Sequence, residues 1–455
     1  MTSHATAARR AAQVLRENRR TGYSDGAGLA YDYTCPSPET YPFQWAWDSS
    51  FHAIALLHVD TERARTELSS LLSAVTGTGF LPHMVLWQDD LRPRATAEFR
   101  IDLWEGWRSV TIAPPVVARA VERVYEATLD LAWLKRTLPA VQGFFDWLHR
   151  HRRSPRTGLI EIYQPDESGL DMSPKYDEAL GLAASSRATV RDDWHAAMRR
   201  LIDGYSHDRR PESPLREARA FVWNDVLVNS IYADGLTSLA RMQAEVGAPA
   251  ALSESTAAAA RDIWAALIEH CWDPERGAFF DLDLVSGRRS TVLTASSLFP
   301  LIGDALPEPI AQRLIHEHLL NEREFWLPNP VPSVAATEPS FDPTFATGAI
   351  FRGSSWVNLN WYLYWGLRDR GYFDEARHLA LRTSACVAAQ GLRECYGPYD
   401  GAGHGARSFG WSSLVLDLLH AQGLAPEDLA AEDLAPDLLD ESALHDAHRL
   451  RPTEV

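Results

Sequence analysis

WAWDSSFHAIALL, residues 45–57, is apolar on nearly every side of the helix it predicts, and three later stretches repeat its plan. They are FVWNDVLVNSIYADGL (221–236), SSWVNLNWYLYWGL (354–367) and FGWSSLVLDLL (409–419). Each opens on an aromatic, follows with Asp, Asn or Ser, and then runs apolar around the helix. A helix without a polar face is buried on all sides. Intervening stretches such as 130–151 and 374–390 keep one charged face and suit an outer position. Helical spacing also covers 5–19, 49–75, 113–127, 225–246, 254–271, 308–320, 355–370 and 411–422. Strand alternation is scarce, and FFDLDLVSGRRSTVLT (279–294) is the best hairpin candidate, with Ser-Gly at its turn. The reading is an all-α toroid of helical hairpins, six helices inside and six outside.

Such an arrangement gathers the inner-helix N-termini at one end, where free N–H groups and positive dipole ends favour polar ligands. The aromatic and polar openings would then line one funnel; singly, they also read as hydrophobic staples and helix caps. Two segments interrupt the rhythm and are placed over the funnel mouth as lids. One is 152–220, with a helical patch at 191–205; the other is the proline-rich 323–350. The expected organisation is one domain over 1–424, followed by an acidic helix or tail at 425–455.

Composition narrows the function. A formal net charge of −17 argues against a nucleic-acid binder, which needs a basic stripe. No apolar run approaches the ~20 residues of a membrane span. The N-terminus lacks the apolar core of a secretory signal, so the expected setting is cytoplasmic. Cys35, Cys271, Cys386 and Cys395 have no metal-binding spacing, and the His149/His151 and His316/His318 pairs read as surface. No metal is expected. Sixteen tryptophans against five methionines stand out, because tryptophan offers a flat face for stacking on sugars as well as for packing.

Three stretches carry candidate chemistry. YPFQWAWDSSFH (41–52) sets Tyr41, Phe43, Trp45 and Trp47 ahead of the single acid Asp48. QPDESGLDMSPKYD (164–177) holds Asp166, Glu167, Asp171 and Asp177 among apolar neighbours that can desolvate a carboxyl and raise its pKa. LRECYGPYDGAGHGARSFGW (392–411) places Glu394 before a glycine-rich loop with Phe409 and Trp411. Two carboxylates across an aromatic funnel suit glycoside hydrolysis, with a separation of roughly 6.5–9.5 Å for inversion.

With these motifs in this order, residues 20–420 resemble the bacterial mannosylglycerate and glucosylglycerate hydrolase branch of glycoside hydrolase family 63. The resemblance implies an (α/α)6 toroid and an inverting exo-acting α-glycosidase working on a small soluble α-glucoside or α-mannoside, with no cofactor. It also implies roles. Asp171, after Gly169 in GLDMSP, matches the general acid, and Glu394 the general base. Asp48 matches the aspartate that grips the sugar, with Tyr41, Trp45 and Trp47 as its aromatic wall. Trp356 matches a sugar-contacting tryptophan, and Asp166, Arg352 and Trp411 join the substrate-binding set.

The departures are local. Ile112-Ala113-Pro114-Pro115 stands where glycerate-releasing relatives have Thr-Gln-Pro-Pro. Pro165-Asp166-Glu167 stands where they have Pro-Trp-Glu, an aromatic exchanged for an acid. Ile350-Phe351-Arg352-Gly353-Ser354 replaces Tyr-Trp-Arg-Gly-Pro. A sugar-binding protein without chemistry, an epimerase centred on His52 or His83, and a phosphorolytic enzyme stay open at this point. So does the oligomeric state, a homo-oligomer included.

Overall fold

A computed structural model describes residues 3–99, 101–182, 186–205, 211 and 220–424. The expected acidic helix or tail at 425–455 lies outside the described residues, as do parts of the 152–220 insertion.

The helices run in chain order as α1 (Ser3–Glu17), α2 (Ala46–Leu56), α3 (Thr61–Leu72), the short α4 (Arg92–Ala97) and α5 (Val117–Thr128). Next come α6 (Leu131–His151), the single turn α7 (Asp177–Leu180), α8 (Val190–Asp203), α9 (Val226–Glu245) and α10 (Ala250–Cys271). The last are α11 (Glu308–Arg313), α12 (Val357–Asp369), α13 (Phe373–Gln390) and α14 (Val415–Ala421). The chain is helix-rich, as its periodicity predicts.

The all-round apolar stretches are interior. Every residue of α2 is buried, and α9 buries Asn229, Ser230 and Asp234 together with its apolar side chains. By contrast α6 buries Trp133, Leu134, Leu138 and Val141 and exposes Lys135 and Arg136. Interior elements pack in sequence: α2 on α5, α5 on α9, and α9 on the 3-10 helix Ala295–Ile302. That helix packs on α12, α12 on the 3-10 turn Gly410–Leu414, and the turn back on α2. Outside them α3 lies against α2, α6 against α5, α10 against α9, and α13 against α12. One apolar cluster runs through this whole set.

Several expectations are corrected. The 49–75 stretch is two helices, because Asp60 caps α3 by accepting from the Arg63 N–H and turns the chain after α2. The element Ala295–Ile302 is interior yet has no 3.6-residue pattern, being a 3-10 helix with Pro300 inside it. The 279–294 hairpin keeps its turn at Gly287 (φ 72°), but its strand Leu282–Asp283 pairs with Trp223–Asn224. His318 is buried rather than on the surface, hydrogen-bonded to Glu324 and the Arg276 carbonyl. The four cysteines are buried and free. No described helix is long and apolar enough to cross a membrane.

Candidate active site

A cavity of about 530 Å³ opens beside the start of α2. Tyr41, Trp45, Trp47, Asp48, Asp166, Gly169, Asp171, Glu394 and Trp411 all line it. The three sequence motifs therefore meet at one place. The Tyr41 hydroxyl donates to Glu394 Oε1 at 3.2 Å, across a separation of 353 residues.

The aromatic wall is assembled edge to face. Trp47 meets Trp411 at 5.3 Å between ring centroids, with the planes 84° apart. Tyr41 meets Phe409 at 5.8 Å and 81°, and Trp45 meets the His83 ring at 5.2 Å. Phe43 is buried behind Trp45 and does not line the cavity, although its spacing from Tyr41 and Trp45 would put it on their face of a regular strand. Rings held by neighbouring rings keep one orientation and leave a face for a ligand.

Asp48 sits in the first turn of α2, buried, with Oδ1 free of any hydrogen-bond partner among the described residues. Burial pushes its carboxyl well above the usual range, and the Glu394 charge adds to the shift. A buried acceptor without a donor is a ready partner for a sugar hydroxyl.

Asp171 is held from both sides. Upstream, Glu167 turns away from the cavity into Arg152, with two bonds of 2.7 Å, and also accepts from the Ile112 and Tyr163 N–H groups. Downstream, Lys175 and the Tyr176 hydroxyl both donate to Asp225 Oδ2, the acid that also caps α9. Between these anchors Gly169 takes the left-handed conformation (φ 69°), and a Cβ there would collide with the Trp47 ring. Only glycine lets the chain cross the tryptophan that closely. Burial raises the Asp171 carboxyl well above its ordinary value, and Asp166, Glu394 and Asp48 raise it further.

The Glu167–Arg152 pair is itself a test of this support. Both side chains are fully buried, so Glu167→Gln leaves an uncompensated guanidinium. The variant is expected to lose about 3–5 kcal/mol of stability, read as a lower denaturation midpoint in urea.

Glu394 lies on the strand Arg393–Tyr396, which pairs with Gly403–Arg407. The register shifts between Arg393 and Cys395, the kind of local bulge that re-aims a side chain. The Ala406 N–H donates to Oε2 at 2.8 Å, and Gly405 (φ 66°) leaves the space, since a Cβ there would run into that same oxygen. Burial raises the Glu394 pKa, while the Ala406 N–H and the Tyr41 hydroxyl oppose the rise by bonding the charged form.

Two residues expected at the substrate do not line the cavity. Trp356 is fully buried behind the wall, stacked on Phe351 at 3.8 Å and edge-on to Trp411 at 5.8 Å. Arg352 is buried against Asp177 (Nη1 to Oδ2, 2.9 Å), tying the 323–350 region to the segment that carries Asp171. Of the four aromatic openings, those at 45–48 and 409–411 reach the cavity, while Trp223–Asp225 and Trp356 serve packing and capping. Conversely, the cavity takes in Phe99 and Ile101, and Trp194, Met198 and Ile202 from α8. The last three recur at a four-residue spacing, an apolar stripe legible in the sequence. Nothing local marks Phe99. His52 is not in the lining, and His83 is, with burial lowering its pKa to about 4. Among the described residues no cluster of His, Cys, Asp or Glu could hold a metal ion.

Comparison with known proteins agrees with this geometry. The sequence is 30% identical to a mannosylglycerate hydrolase of Rubrobacter radiotolerans, over 85% of this chain and 93% of that one. A glucosylglycerate hydrolase of Mycolicibacterium hassiacum is 26% identical over 85% and 94% of the two chains. The crystal structure of the family 63 mannosylglycerate hydrolase from Thermus thermophilus, in complex with Tris, superposes with a TM-score of 0.75. It is 28% identical and covers 90% of this chain and 99% of its own. The profile of the mannosylglycerate hydrolase MGH1-like glycoside hydrolase domain matches residues 41–412, a span that begins at Tyr41 and contains every acid of the cavity named above. The chain is a glycoside hydrolase and belongs to this MGH1-like family within glycoside hydrolase family 63.

Proposed function

We propose that the protein is an inverting, exo-acting α-glycosidase for a small soluble α-glucoside or α-mannoside, with Asp171 as general acid and Glu394 as general base. The fold reading that goes with it is an (α/α)6 toroid, supported by the closed succession of six interior elements. The stretches 152–220 and 323–350 act as lids over a single 1–424 domain, consistent with Trp194, Met198, Gly348 and Ile350 in the cavity wall.

The observation that carries the reading is the unequal environment of two carboxyls in one cavity. Asp171 is raised well above its usual range by burial and three neighbouring acids. Glu394 is raised too, but two donors hold its charged form. Environments that push two carboxyls apart assign acid and base. Asp171 keeps the proton that the leaving oxygen needs; Glu394 is the carboxylate that takes one from water. In the step, the C1–O bond to the aglycone breaks as Asp171 protonates that oxygen. A new C1–O bond forms from water on the opposite face as Glu394 takes the water's proton. Asp48 grips a sugar hydroxyl, and Trp45, Trp47 and Trp411 stack on the ring. The sugar half of the substrate, an α-mannosyl or α-glucosyl group, follows the relatives, which are named for mannosylglycerate and glucosylglycerate.

A screen of α-mannosyl and α-glucosyl derivatives of glycerate and glycerol, with α-linked disaccharides, tests the reading. Release of free sugar from at least one small α-glycoside is expected; no turnover across the panel contradicts it.

The pH profile supplies a sharper check. Activity needs Glu394 ionised and Asp171 protonated, so kcat/KM falls at low pH through the base and at high pH through the acid. Tyr41→Phe removes a donor from the Glu394 carboxylate, which then holds its proton more tightly. The acidic limb is expected to move to higher pH in this variant, while an unmoved limb would detach Tyr41 from the base.

A further inference from the structure

We propose that Asp166 makes the enzyme select an uncharged, hydroxyl-bearing aglycone and reject an anionic one. This rests on the α-glycosidase reading and narrows its substrate.

Asp166, in the 3-10 turn Pro165–Ser168, and Asp171, three residues beyond that turn, both line the cavity, while Glu167 between them points the other way into Arg152. The Asp171 carboxyl feels Asp166 more than any other charge, so Asp166 lies on the side of the cavity where the leaving group departs. Its Oδ1 is buried and has no hydrogen-bond partner among the described residues. A buried acceptor without a donor calls for a donor from the ligand. An aglycone hydroxyl provides one. An aglycone carboxylate provides a second acceptor and a second negative charge, and like charges juxtaposed in a binding site weaken affinity.

Among the described residues, Arg94, Arg191 and His83 of the cavity wall offer such an anion little compensation. Arg94 is already bound to Glu98 at 2.7 Å and to the Thr40 carbonyl at 3.1 Å. Arg191 is exposed at the start of α8, where solvent weakens its pull. His83 is neutral at pH 7, its pKa lowered by burial. Among the described residues, the titratable groups facing Asp166 are Asp171, Glu167 in its pair with Arg152, and Tyr205, whose hydroxyl is given to the Tyr163 carbonyl. Burial, with the Glu167 charge, brings Asp166 to about 7, so it is mostly ionised at pH 8.

The test compares kcat/KM at pH 8 for α-glucosylglycerol against α-glucosylglycerate, and for the two mannosyl counterparts. Wild type, Asp166→Asn and Asp166→Glu are measured side by side. The wild type is expected to favour the glycerol compound at least about tenfold. Asp166→Asn should bring the two within about threefold, and Asp166→Glu should restore the preference. Because both substrates use the same acid, the ratio cancels any change in Asp171 common to them. A wild-type preference for glycerate, or a ratio unchanged in Asp166→Asn, overturns the inference and leaves the α-glycosidase reading standing. Hydrolysis of none of the four compounds overturns the inference, and the α-glycosidase reading falls with it only if the α-linked disaccharides are not hydrolysed either.

Discussion

Asp171→Ala is expected to lower kcat/KM for an α-glycoside with an ordinary alcohol aglycone by about 10²–10⁴-fold. The same variant should keep much of its activity on an α-glycosyl fluoride, because fluoride departs without a proton. That split between substrates separates a proton donor from a residue that merely shapes the cavity. Folding should be preserved. Asp171 is half-buried at the cavity surface, and its flanking segment is fixed by Glu167 on Arg152 and by Lys175 and Tyr176 on Asp225. The alkaline limb of the pH profile, assigned to Asp171, should also vanish for the fluoride. Equal losses on both substrates would remove Asp171 from the acid's role.

Glu394→Gln is expected to lose about 10²–10⁴-fold on both substrates, since each needs an activated water whatever the leaving group. Glutamine keeps the volume; its one amide oxygen can accept from the Ala406 N–H while its NH2 donates to the Tyr41 hydroxyl oxygen, so the hairpin around residue 394 should hold its register. Binding of the free sugar, measured by calorimetry, should survive in this variant, because Asp48 and the aromatic wall are untouched. Retained turnover of the fluoride would move the base elsewhere. The acids of the cavity interact, so the two limbs of the wild-type profile report the set of Asp48, Asp166, Asp171 and Glu394, with single variants needed to separate them.

Much of this was legible in the sequence because burial on all sides leaves a plain mark. The stretches 45–57, 221–236 and 354–367 have no polar face, and their helices are interior. Interior position did not show at Ala295–Ile302, where a 3-10 helix of eight residues has too few turns for a period. Nor did the break at Asp60 show, since apolar spacing continues across it and only the cap betrays the new helix. Within the site, residue types and local surroundings pointed to Asp48, to Glu394 and to the four acids of 164–177, and the family resemblance singled out Asp171 among them. They did not reveal that Trp356 and Arg352 stand behind the wall, because an aromatic or arginine beside a glycine turn suits a ligand and a buried brace equally well. The direction of Glu167, away from the cavity and into Arg152, depends on a partner fifteen residues upstream. The contact of Tyr41 with Glu394 joins the two ends of the chain, and no local pattern carries it.

In the proposed reaction Asp171 and Glu394 act on opposite faces of the sugar in a single displacement. Proton NMR of the sugar released from a hydrolysed α-glycoside, followed before the anomers equilibrate, tests it most directly. The β-anomer should appear first. First appearance of the α-anomer would mean retention, a covalent intermediate, and different roles for both carboxylates.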